Sequence, residues 1–381
     1  MKSIIAIRGI HACFKCGFNF GKVGIKMENK LTQLMHNLPK NIDCGLVTSA
    51  VNRRYLTGFS SSAGVLVVTR EKSYFIVDFR YYERAAGSIQ DCDVILLEDS
   101  RSQLESILRK HNCKNIAVEA YAMSLFEYNH YCETFPDYHF TSSAFFQDLI
   151  DGLRAIKTPH EIEKIKEAQK ITDEAFSHIL SFITEGQTER QIAAEINRFI
   201  RQNEAELSFD TIVVSGRNSS SPHGVPSDKP IEEGDFITMD FGAMLDGYHS
   251  DMTRTIVVGQ PSEEQIMVYK NVYIGQNLAL DYIKSGQQGM ESDRLVREYF
   301  DSQGYQGAFG HGLGHGVGLE IHEKPHLGKN AAAVLRSGMV VTIEPGLYLP
   351  GKFGVRIEDM VVITDNGCEN LTNSRKDLIC L

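Results

Sequence analysis

From residue 27 to residue 150, short apolar runs alternate with stretches of helical periodicity. CGLVTSA, AGVLVVT, SYFIVD, DVILLE and NIAVEA are rich in β-branched and aromatic residues, which predicts strands. RYYERAAG and SRSQLESILRKHN repeat their apolar positions every three or four residues and predict helices. The alternation describes an α/β domain. From residue 151 the pattern lengthens. DGLRAIKTPHEIEKIKEAQKITDEAFSHIL predicts a long helix, with Thr158 as N-cap, Pro159 at the first helical position and Glu161 completing a capping box. Thr188 with Gln191 and Ser262 with Gln265 repeat the device ahead of two more amphipathic runs. Strands are expected at about 210–215, 235–242, 249–258, 339–344 and 354–363, which makes residues 151–381 an α+β domain. No low-complexity segment or short repeat interrupts the pattern.

Five polar residues stand where these apolar runs should exclude them. Asp240 follows FITM, Asp251 begins the strand that ends TRTIVV, Glu344 ends GMVVTI, and Glu358 interrupts GVRIEDMVVIT. His315 lies in GHGLGHGVGLEIHEKPHL, residues 310–327. A histidine pair four apart suggests the helical zinc motif. Glycine at 310, 312, 314, 316 and 318 excludes a helix, because each costs about 1 kcal/mol relative to alanine. The stretch is therefore extended, and the missing side chains are expected to let the backbone lie close to a bound metal and substrate. Any one of the acids could be a solvated strand end. Four carboxylates flanked by apolar strands must instead be paired, protonated or bound to cations. Two divalent ions would balance their charge. An oxygen-rich set with one imidazole favours Mn²⁺ over Zn²⁺, with Co²⁺ or Fe²⁺ able to substitute. Two such ions can share a water and lower its pKa.

Composition narrows the partners. The chain has 381 residues and a formal charge of -10, which argues against nucleic acid as its main partner. No apolar run approaches the roughly 18 residues of a membrane span, so no membrane association is expected. The eight cysteines have no framework spacing and read as reduced thiols of a cytoplasmic protein. Cys13 and Cys16 have redox spacing but lack a second pair, and count as incidental. Residues 1–26 carry five basic residues and no acidic one, and MENKLTQL then begins like a fresh start at Met27. This basic extension reads as an overextended start or a disordered tail.

The order Asp240, Asp251, His315, Glu344, Glu358 resembles the dinuclear metal signature of the pita-bread metallopeptidases, the family of methionine aminopeptidase, aminopeptidase P and prolidase. MDFGAMLDGYHSDMTRT, GHGLGHGVGLEIHEKP and TIEPGLYLPGKFGVRIED resemble it locally. NRRYLTGFSSSAGVLVV and YFIVDFRYYERA resemble the creatinase/prolidase type of N-terminal α/β domain, expected over 27–150. The match spans about 27–381 and points to the proline-specific branch. The resemblance implies that Asp240 and Asp251 hold one metal, with Asp251 bridging. His315 and Glu344 would hold the other, with Glu358 bridging. Glu344 would also act as general base and then acid. His322 would hydrogen-bond the scissile carbonyl, His223 would contact the leaving group, and His311 and Arg356 would line the proline side. Arg356 and Glu358, two apart on one expected strand, would share a face. His249 and His326 carry no implied role.

The expected enzyme is an Xaa-Pro aminopeptidase acting on peptides with proline at the second position, as a homodimer or homotetramer. Three alternatives stay open: an Xaa-Pro dipeptidase (prolidase), a catalytically inactive peptide-binding module, and metal-free hydrolysis of the creatinase kind.

Overall fold

The computed structural model describes residues 29–381; the basic extension and the Cys13–Cys16 pair lie outside them. The N-terminal domain is built on a six-stranded mixed sheet. Its strands run in the spatial order Asp93–Leu96, Ser73–Val77, Val65–Thr69, Cys44–Val47, Asn115–Val118, His139–Thr141. The central strand Cys44–Val47 pairs antiparallel with Val65–Thr69 and parallel with Asn115–Val118. Helices cover both faces, so the strands are buried on both sides and read as continuous apolar runs. Leu34, Phe75, Phe146 and Ile150 fill one face, and Leu46, Leu108, Ile116 and Val118 the other. The helix Ala144–Ala155 runs through residue 150. Its early residues Phe146 and Ile150 pack in the N-terminal core, whereas Ala155 belongs to the core of the second domain. Among the described residues, no helix is long and apolar enough to cross a membrane.

The second domain is two similar halves. One carries the helices Pro159–Phe182 and Glu189–Gln202 with the strands Ile212–Ser215, Phe236–Phe241 and Met252–Val257. The other carries the helices Glu263–Tyr282 and Gly289–Ser302 with the strands Val340–Ile343 and Asp359–Ile363. The capping boxes expected at Thr158, Thr188 and Ser262 all form. The halves correspond in detail. Gly186 N donates to Ile231 O at 2.9 Å, and Gly286 N to Leu335 O at 2.9 Å. GDFITMDFG at 234–242 and GMVVTIEPG at 338–346 occupy matching positions. A long internal repeat is therefore present; only three of those nine positions are identical, too few to show as a sequence repeat.

The glycines of 310–318 have a packing role within the protein itself. A methyl group at Gly314 would overlap the Thr342 carbonyl oxygen, one at Gly316 the Lys324 carbonyl, and one at Gly318 the Glu323 carboxylate. They admit neighbouring strands and a buried acid. Gly310, by contrast, has nothing within 4 Å. Gly314→Ala should accordingly destabilise the protein by about 1–3 kcal/mol in urea titration, while Gly310→Ala leaves the midpoint unchanged.

Candidate metal centre

The four strand-borne acids occupy equivalent places in the two halves. Asp240 is the fifth residue of Phe236–Phe241, and Glu344 follows Val340–Ile343 directly. Asp251 immediately precedes Met252–Val257, and Glu358 immediately precedes Asp359–Ile363. The strands expected over 249–258 and 354–363 are each broken at the acid, at 250–251 and 357–358. The break at Glu358 frees its N–H to donate across to Thr253 O at 3.1 Å. Arg356 and Glu358 therefore do not lie on one continuous strand, yet both side chains reach the Thr253 hydroxyl. Arg356 ends the strand Phe353–Arg356, and Thr253 connects it to the acid: Arg356 Nε donates to Thr253 Oγ1 at 2.9 Å, and that hydroxyl donates to Glu358 Oε2 at 2.6 Å.

One ligand atom from each of Asp251, His315 and Glu358 lies within 4.8 Å of the others. His315 Nε2 is 3.5 Å from Asp251 Oδ2 and 3.3 Å from Glu344 Oε1. The remaining ring nitrogen, Nδ1, faces Gly316 O at 3.2 Å. A carbonyl only accepts, so Nδ1 carries the proton and Nε2 presents a lone pair to two carboxylate oxygens. Acceptor facing acceptor is an arrangement that a cation between them resolves. Two further atoms point the same way: Asp240 Oδ1 and Glu358 Oε1 are buried without a hydrogen-bond partner. Such atoms are rare in native proteins and call for an explanation. The donor set fits divalent ions.

Electrostatics agrees with the geometry. Burial, then the neighbouring Glu358, Asp240 and Glu344, pushes the Asp251 carboxyl well above its ordinary range. Burial, then Glu344 and Asp240, does the same to Glu358. Burial lifts Glu344 to about 8, partly offset by Arg356. Burial and the nearby His322 lower His315 to about 3, so its ring is neutral, the form that ligates metal. Arg356 remains charged: burial opposes its charge, but Tyr348, Asp240, Glu358 and Glu344 outweigh that.

Around this cluster the structure places the other expected residues. His322 packs edge-on to His315 with ring centroids 4.3 Å apart. His223 stands exposed on the adjoining loop, near enough to lower both His311 and His322. His311 Nε2 accepts from Tyr348 Oη at 2.9 Å, and Tyr348 Oη accepts from Arg356 Nη1 at 2.8 Å. Arg356 Nη2 in turn meets Asp240 Oδ2 at 2.6 Å. A relay thus joins His311 to the acid cluster through Tyr348, a residue the sequence reading passed over. It also passed over Thr253 and Thr342. Thr342 Oγ1 donates to Glu344 Oε1 at 3.0 Å and accepts from His315 N at 3.1 Å. For Thr342 the available signal was spacing, two residues from Glu344, where extended chain puts both side chains on one side; Thr253 meets an acid 105 residues away, which no local spacing records. His249 is half-buried against Ser208 Oγ at 2.8 Å, and His326 is exposed.

Known proteins share this architecture. The model of the metallopeptidase family M24 matches residues 163–365, and that of the creatinase/prolidase N-terminal domain matches 29–156. An Xaa-Pro dipeptidase of Pyrococcus furiosus is 38% identical over 93% of this chain and 100% of its own length. The structure of an Xaa-Pro dipeptidase from Bacillus anthracis superposes with a TM-score of 0.89 at 40% identity, covering 92% of this chain and 99% of that one. An X-Pro aminopeptidase from Thermotoga maritima MSB8 gives a TM-score of 0.83 at 36% identity, covering 89% and 98%. With two domain models matched in order, and relatives aligned over nearly their whole length, the chain belongs to metallopeptidase family M24, a family of metal-dependent hydrolases.

Proposed function

We propose that this protein hydrolyses the peptide bond between an N-terminal residue and a following proline, using two divalent ions held by Asp240, Asp251, His315, Glu344 and Glu358. The observation that carries the reading is the His315 Nε2 lone pair set against two carboxylate oxygens, beside two unpartnered buried oxygens. Asp240, Asp251, His315, Glu344 and Glu358 would supply the ligands. Manganese is the proposed resident ion, on the hardness of the donor set. When bound, the ions would neutralise the acids and lower the pKa of the attacking water.

The chain's own residues do the rest. Glu344 accepts the proton of the attacking water and returns it to the proline nitrogen as that bond breaks. His322 donates a hydrogen bond to the oxygen of the scissile carbonyl as charge develops there. His223 contacts the leaving group. His311, fixed by Tyr348, and Arg356, fixed by Asp240, form the proline side. A proline nitrogen carries no N–H, so a dedicated site is needed for this bond. The six cysteines among the described residues are free thiols, which supports a cytoplasmic setting. A homodimer or homotetramer is proposed with it.

The first reading is an Xaa-Pro aminopeptidase that accepts longer peptides. A second, the Xaa-Pro dipeptidase, is supported by the 38% and 40% identity to enzymes of that name. The experiment is hydrolysis of Xaa-Pro, Xaa-Pro-Yaa and Xaa-Ala peptides after chelation and reloading with Mn²⁺ or Zn²⁺. Chelation should abolish activity and Mn²⁺ restore it at least as well as Zn²⁺. Cleavage of Xaa-Pro-Yaa selects the aminopeptidase, and cleavage of the dipeptide alone selects the dipeptidase. Activity that survives chelation would remove the metal mechanism, and equal cleavage of Xaa-Ala would remove the proline specificity.

A further inference from the structure

Glu323, which Gly318 makes room for, takes part in none of the steps above. It follows His322 directly and begins the strand Glu323–Leu327. His322, in the bend before that strand, stands exposed, and Glu323 is buried. Glu323 Oε1 accepts from Lys157 Nζ at 2.7 Å, and Oε2 from Arg154 Nη2 at 2.5 Å. The two cationic side chains are only 3% and 4% exposed. Arg154 Nη2 also meets Glu320 Oε2 at 2.8 Å. Its Nη1 donates to Asn52 Oδ1 at 2.9 Å, on the N-terminal-domain helix Ala50–Thr57. Asn52 Nδ2 donates to Glu119 Oε1 at 2.7 Å, one residue past the strand Asn115–Val118. A buried polar path thus runs from the N-terminal sheet to the residue behind His322.

Stability does not account for this path, because buried ion pairs are no more stabilising than an apolar filling of equal volume. Their effect here is geometric. A guanidinium and an ammonium each hold one oxygen of Glu323, so the chain leading into it has one position. Glu323 also pairs with Gly316, where the register shifts between His315 and Gly316. The segments bearing the two imidazoles meet at this acid.

We propose that Glu323, clamped by Arg154 and Lys157, is a positioning residue for His322, and that the N-terminal domain sets the geometry of the site through Asn52 and Arg154. The proposal rests on the role given to His322 in the preceding section. The test uses the full-length, Mn²⁺-loaded protein carrying Arg154→Met, alone and combined with His322→Ala. The readouts are kcat, KM and metal content of that protein, and the imidazole ¹⁵N resonances of His322 in those of the same proteins that retain it, loaded with diamagnetic Zn²⁺. Arg154→Met should lower kcat by about 10–100-fold with KM and metal content nearly unchanged, and should move the His322 resonances. In the His322→Ala background the same change should cost less than about twofold, the non-additivity expected of residues acting as a unit. Equal losses in both backgrounds, or unmoved His322 resonances, would overturn the proposal. Glu323→Gln keeps the volume and serves in the same comparison if Arg154→Met does not fold. If the wild-type protein cleaves no Xaa-Pro bond, the functional reading falls, and the resonances still decide the positioning.

Discussion

Asp251→Asn yields a folded protein that neither retains its metals nor hydrolyses peptide. Activity should fall by about four orders of magnitude, as when one member of a catalytic unit is removed. The variant also makes an opposite prediction for stability. In the metal-free protein Asp251, Glu358 and Glu344 crowd a buried space; burial raises all three carboxyls, Asp240 adds to each, and Glu344 adds to Asp251 and Glu358. Glu344 stands at about 8 against an ordinary 4.5. The folded state therefore holds protons that the unfolded chain releases between those values, and stability falls as the pH rises through the window. His315, lowered to about 3 from 6.5, acts in the other direction, but only below 6.5. From pH 6.5 to 8 the acids act without opposition from His315. Metal-free wild type should lose melting temperature over that interval, and the loss should be smaller in metal-free Asp251→Asn, which melts at or above wild type at pH 8. Thermal melts after chelation measure both. Identical pH slopes for the two proteins would mean that the acids do not share one pocket.

Glu344→Gln separates metal binding from proton transfer. An amide oxygen can still ligate, so metal content should fall only in part, but an amide cannot accept the water's proton. Expected is a drop in kcat of about 10²–10⁴-fold at little-changed KM. Glu344 accepts from Thr342 Oγ1 at 3.0 Å and lies 3.3 Å from His315 Nε2, so its carboxylate is held at the centre of the cluster. Thr342→Val, which loosens that acid without removing it, should cost less. Steady-state kinetics at matched metal occupancy provide the comparison. Wild-type kcat in Glu344→Gln would assign the base to another residue.

Much of this was legible without coordinates. The capped helices beginning at Pro159, Glu189 and Glu263 could be read because a capping box is a local device whose parts lie three residues apart. The five candidate ligands stood out because an ionisable side chain among apolar strand residues is costly wherever the strand ends up. Other readings failed for equally physical reasons. The helix Ala50–Thr57 went unread: it carries NRRY, in which Asn52 is buried through Glu119 and Arg154, distant in sequence, and Arg53 on the carbonyls of Thr48 and Ser61, so its periodicity looks polar. The glycines of 310–318 signalled close approach but not of what. The breaks at Asp251 and Glu358 were hidden because the apolar pattern continues across them.

What the sequence determined by itself was the two-domain architecture, the capped helices and the identity of the acids and imidazole that could gather cations. Those follow from local propensity and from the cost of burying charge. Only the tertiary structure decided the partners of those groups: Arg356 on Asp240, 116 residues away, Thr253 on Glu358, 105 away, and Arg154 on Glu323, 169 away. Hydrogen bonds and ion pairs act over a few ångströms of space, and no local pattern records which distant segments packing will bring that close.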